Sequence, residues 1–172
     1  TGRYVGQNLV LHGALGILGL AVMALTGVLA DKPPDVATLI LLLGVTMVLN
    51  SLSLSYTAVF PAIGRFDLQA AAETLLYALM LIGSVSAMAL GRGIVGIGVG
   101  MAAASVVHLG SCWWLSRRVV GPADLRVDLR LTQTILSMAW PLALTSVAVG
   151  IYYRIDSVFL SVLRTDREVG LY

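Results

Sequence analysis

Two charged side chains, Arg154 and Asp156, stand in a long apolar run that begins at Leu131. An ionised group at bilayer depth costs about 2.5–3.5 kcal/mol on insertion scales, so by default it marks a place where it meets a partner, water or a substrate. The two lie two residues apart, roughly 200° around a helix, which denies them an easy pairing with each other. Arg154 shares a face with Ser146, Gly150, Ser157 and Ser161, whereas Asp156 shares one with Thr145, Val149 and Tyr152. Tyr152 and Tyr153 stand directly beside them. The plainer alternative is that Arg154 snorkels to the headgroups while Asp156 pairs with another helix.

A second set is uncharged. Thr46, Asn50, Ser53 and Thr57 follow one another at spacings of four, three and four residues, which puts them on one helical face. Such a stripe is the expected wall of a watery cavity, and the competing reading is hydrogen bonding between packed helices. Glu73 and His108 are weaker candidates for coupling an ion. Glu73 falls a little more than one turn into its apolar segment, where carboxylates commonly reach the headgroups. His108 has no acidic neighbour on its own helix, so packing is its plainer role.

Other matches carry no chemistry. Gly91-Arg92-Gly93-Ile94-Val95-Gly96 fits the dinucleotide fingerprint, but that motif needs a strand before it and a helix after it. Here it joins two apolar segments, and Gly96, Gly100 and Ala104 make a small-residue series suited to close helix packing. Cys112 has no ligand or nucleophile partner in sequence, and no His, Cys or carboxylate cluster has metal spacing. Neither a catalytic site, nor a metal, nor a cofactor is expected.

These groups must be positioned by membrane helices. The chain has 172 residues, 58% hydrophobic and 12% charged, against roughly 45–50% and about 25% in soluble domains. That excludes disorder and disfavours a soluble enzyme, and a net charge of +2 gives no case for nucleic acid. Five stretches can cross a bilayer, each needing about 20 apolar residues. They run from about Gln7 to Ala30, Val36 to Phe60, Leu68 to Leu90 and Ile94 to Ser116, with the fifth inside Leu131 to Leu163. That last region is too long for one straight span. A break is expected at Pro141, with Leu131 to Trp140 as an interfacial lead-in and Pro141 to Leu163 as the crossing. The expected fold is an all-α polytopic transmembrane bundle.

Orientation follows from basic residues. Arg3, Arg65, Arg117, Arg118, Arg126 and Arg130 lie on the side of the N-terminus, against Lys32, Arg92, Arg164 and Arg167 opposite. The basic loop at residues 117–130 is therefore expected in the cytoplasm, together with the N-terminus, in a multi-pass protein of the inner membrane. Trp113 and Trp114 before Arg117 and Arg118 have the composition of an interface anchor. Because the chain opens on Thr1 and its five spans leave the two ends on opposite sides, the expectation is a fragment.

The closing segment is the most specific. Trp140-Pro141-Leu142 leads through Tyr153-Arg154-Ile155-Asp156-Ser157-Val158-Phe159-Leu160-Ser161 to Glu168-Val169-Gly170-Leu171-Tyr172. It resembles the start of the second half of a polysaccharide or oligosaccharide flippase, in the multidrug/oligosaccharidyl-lipid/polysaccharide exporter superfamily. The stretch from Ala58-Val59-Phe60 to Arg65, then Leu68 to Leu81, resembles that family's fourth-to-fifth helix turn and the helix after it. The resemblance implies a two-lobed transporter of twelve or more helices. Residues 1–116 would be the last four helices of the first lobe, 117–130 the cytoplasmic linker, and 131–172 the lead-in and first helix of the second lobe.

The function so implied is flipping of undecaprenyl-(pyro)phosphate-linked oligosaccharide to the outer leaflet, driven by an ion gradient (H+ or Na+). Arg154 would meet the phosphate, Tyr152 and Tyr153 the sugars, and Asn50, Ser53 and Thr57 the sugar hydroxyls. Asp156 would hold the coupling cation or Arg154. Partners would be the bilayer, the lipid-linked glycan and other polysaccharide-assembly membrane proteins. Three rivals share the composition: a cation-coupled multidrug antiporter of the same superfamily, a membrane glycan polymerase or ligase, and a structural membrane subunit. The short outer loops argue against the polymerase.

Overall fold

The computed structural model of the chain describes residues 2–29, 33–121 and 129–163, without the side chains at 28, 29, 129, 131, 154 and 156–163. Every regular element among them is helical: α1 (Gly2–Leu29), α2 (Pro34–Thr57), α3 (Val59–Ala62), α4 (Phe66–Ala89), α5 (Gly93–Val119) and α6 (Leu129–Leu163). Among the described residues five helices are long and apolar enough to cross a membrane, with α2 and α3 counted as one span over Pro34–Ala62. At 1.5 Å per residue, even α4 reaches about 36 Å, enough for a hydrocarbon core of about 30 Å.

The ends of these helices follow local chemistry. Pro34 opens α2 at a position whose N–H would be unpaired in any case, and the Pro33 carbonyl accepts from Val36 and Ala37 at 2.9 and 3.1 Å. Pro61 removes the bond its nitrogen would make to Thr57, and α2 stops there before the short α3 resumes. The α4–α5 turn is closed by Gly91 at φ +64°, with Arg92 N–H bonded to Ala87 O and Gly91 N–H to Met88 O, each at 3.0 Å. That pairing satisfies carbonyls a helix end leaves open, and the left-handed position favours glycine.

The chain divides into two compact units, residues 1–127 and 128–172. In the first, α1 packs on α2, α2 on α5 and α5 on α4, so the chain order is permuted into a layer α1–α2–α5–α4. Close approach depends on missing side chains. A Cβ on Gly100 would lie 2.9 Å from the Gly83 carbonyl carbon, and one on Gly83 would lie 3.1 Å from Gly100 Cα, so α4 and α5 cross backbone to backbone. The burial pattern is that of a bundle in lipid. Ser53, Ser105, Thr46 and His108 are buried, whereas Ile17 and Leu81 are 67% and 66% exposed.

In the second unit, α6 runs unbroken for 35 residues with Pro141 inside it, in place of the expected break. Proline costs this helix one backbone hydrogen bond, while a true interruption in lipid would strand several polar groups. Thr145 Oγ1 donates to Pro141 O at 3.0 Å, and Ser137 Oγ to Thr134 O at 2.9 Å. Among the described residues the apolar span covers Thr132–Tyr153.

Candidate functional site

The polar stripe of α2 divides once its neighbours are in place. Thr46 Oγ1 donates to Leu42 O and Ser53 Oγ to Leu49 O, both at 2.9 Å, and both side chains are buried between helices. Asn50 and Thr57 instead line an open cleft of about 290 Å³. Leu54 joins them from α2, and Glu73, Leu76, Tyr77 and Met80 line it from α4 at one-face spacing. His108 of α5 completes it. Thus four of the sequence candidates, Asn50, Thr57, Glu73 and His108, meet at one place contributed by three spans. Ser53 does not line it.

The electrostatics of this cleft are unbalanced. His108 is 5% exposed, yet neither of its ring nitrogens has a hydrogen-bond partner among the described residues. Asn50 Oδ1 is likewise buried without one. Glu73 is exposed, with Oε1 accepting from Gln69 Nε2 at 2.9 Å, and it lines the same cleft as His108. Buried polar atoms are normally paired, and orphaned ones call for an explanation. Among the described residues no three His, Cys, Asp or Glu side chains gather as a metal site.

Other candidates lie apart. Tyr152 and Tyr153 sit edge to face on α6, centroids 5.7 Å apart, with 76% and 74% of their surfaces exposed. Arg154 and Asp156 fall within α6, but their side chains are outside the described residues. So are residues 122–128 of the basic loop and the closing residues 164–172.

Two features escaped the reading of the sequence. His12 Nδ1 lies 2.8 Å from Ser51 O, tying α1 to α2 across 39 residues. Its only advance signal was a histidine in an uncharged span. Arg65, between α3 and α4, holds Asp67 at 2.8 and 2.9 Å; this hydrogen bonding raises the guanidinium above its ordinary pKa. The interface anchor takes a definite form, with Arg117 stacked over Trp113 at 4.8 Å and Arg118 over Trp114 at 3.8 Å.

Outward apolar side chains, small and hydroxylated residues between helices, and stacked Trp–Arg pairs at a helix end define a multi-pass helical membrane protein. The chain belongs to the polysaccharide biosynthesis protein family, whose model matches residues 4–172. No curated protein and no solved structure matches it. The resemblance seen from Trp140 to Tyr172 is thereby borne out at the level of the family.

Proposed function

We propose that this chain is part of a flippase that carries an undecaprenyl-(pyro)phosphate-linked oligosaccharide from the cytoplasmic to the outer leaflet of the inner membrane. The observation that carries the reading is the cleft between α2 and α4, where polar side chains from three spans of a polysaccharide-biosynthesis protein face one space. Polar groups within membrane spans are costly, and transport is a function that uses them. Asn50 and Thr57 are suited to sugar hydroxyls, with Ser53 holding the helix beside them. In the second unit, Arg154 supplies the cation for the phosphate linkage, Tyr152 and Tyr153 the aromatic faces, and Asp156 an acidic partner for Arg154 or a coupling cation. The work is binding and conformational exchange, with no bond made or broken in the glycan.

Export of glycan in cells dependent on the full-length protein tests this. Arg154→Ala is expected to abolish export while membrane insertion stays intact. Wild-type export by the inserted variant removes Arg154 from the mechanism. If Asp156→Asn instead abolishes drug resistance conferred by the protein and leaves glycan export whole, the antiporter reading replaces this one.

A further inference from the structure

We infer that His108 is a proton-binding site, and that its protonated ring is held in the cleft between Asn50 Oδ1 and the Glu73 carboxylate. A neutral imidazole offers one donor and one acceptor; a protonated one offers two donors. Here the ring is buried with both nitrogens unpartnered, and the cleft it lines holds an unpartnered acceptor, Asn50 Oδ1, on α2. On α4 it holds a carboxylate with one oxygen already tied to Gln69 and the other left to accept. The atoms lacking partners are therefore those that a single added proton would match. Uptake of H+ by the ring creates the second N–H, and rotation of side chains already facing one space completes two charge-assisted hydrogen bonds. A sodium ion fits less well, because imidazole nitrogen is a poor ligand for it beside so few oxygens.

Among the described residues the groups around the ring are few. From α4, Glu73 and Tyr77 face the cleft; α2 contributes no titratable group to it, since Tyr56 lines a separate groove with Trp113. On α5 itself, Cys112 lies one turn further on and is fully buried. Among the described residues Glu73 is thus the only carboxylate that lines the cleft with His108. Coupling of this proton to transport rests on the flippase reading, whereas the site itself does not.

The test is nitrogen NMR of histidine-labelled full-length protein in lipid nanodiscs, titrated from about pH 5 to about pH 9. One imidazole, assigned by its loss in His108→Gln or His108→Asn, is expected to pass from neutral to doubly protonated. Glu73 is exposed, so Glu73→Gln keeps the fold, and it should lower the midpoint by at least about one pH unit, a tenfold loss of proton affinity. A His108 that stays neutral throughout, a midpoint unmoved in Glu73→Gln, or one displaced by sodium overturns the proposal. Translocation of a fluorescent lipid-linked glycan in the same nanodiscs is read separately. Titration without translocation sinks the flippase reading and leaves the proton site standing.

Discussion

A serine or threonine in a membrane helix can bond to its own backbone, whereas an asparagine carboxamide reaches outward and needs a neighbour. That difference separates Asn50 from Thr46 and Ser53, while Thr57 lines the cleft although its hydroxyl also donates to Leu54 O, at 3.3 Å. Thr46 and Ser53 are satisfied by carbonyls one turn back, while Asn50 presents an orphaned oxygen to the cleft. Spacing alone put all of them on one face and could not tell lining from packing, because the distinction depends on where α4 and α5 lie. Asn50→Leu should therefore leave thermal stability unchanged or raised, since no bond to Oδ1 is lost, while cutting glycan export at least about tenfold. Ser53→Ala should leave export near wild type. Equal losses from the two variants, measured in one export assay, would return the stripe to a common structural role. The meeting of Glu73 and His108 in one cleft was equally beyond the reach of spacing rules. His108 has no acidic neighbour on its own helix and Glu73 was expected at the headgroups, and only the packing of α4 on α5 brings them to one cleft.

At the scale of elements, helix ends were legible wherever proline or glycine punctuates the chain. The Pro33-Pro34 start, the stop before Pro61 and the Gly91 turn all stand close to where residue types alone put them. Pro141 shows the limit of that rule. Within an apolar span the cost of one missing bond is smaller than the cost of breaking the helix, so α6 continues. Helix contacts were half legible. The series Gly96, Gly100, Ala104 announced a packing face on α5, but its counterpart on α4, Gly83 with Ala87 four residues on, is identified only from the crossing. Gly100→Leu should destabilise the bundle by about 1–3 kcal/mol through forced separation of α4 and α5. Gly110→Ala, with nothing within 4 Å of a new Cβ, should be neutral or stabilising by up to about 1 kcal/mol. Melting of the two variants in detergent distinguishes them, and equal melting points would mean that the Gly83–Gly100 approach does not hold the hairpin.

At the scale of the molecule, crossing number and orientation are separate questions that one experiment answers together. Between Lys32 and Asp124 the chain passes through three membrane-length segments, Pro34–Ala62, Phe66–Ala89 and Gly93–Val119. An odd number of crossings puts the two positions on opposite sides whatever the orientation. The side itself is set by basic residues: Arg117 and Arg118 close α5 and are stacked on Trp113 and Trp114, an arrangement suited to the interface that faces the basic loop. Cysteines placed at these positions, Lys32→Cys and Asp124→Cys, can be read with a membrane-impermeant maleimide in the full-length protein freed of other cysteines. Lys32→Cys should label in intact spheroplasts, and Asp124→Cys only after the membrane is opened. Labelling of both from one side would contradict the three crossings and hence the layer α1–α2–α5–α4. The reverse pattern would keep the fold but invert the cleft. Glu73, about two turns from the start of α4, would then meet protons entering from outside rather than from the cytoplasm, and any proton coupling at His108 would have to run in the opposite sense.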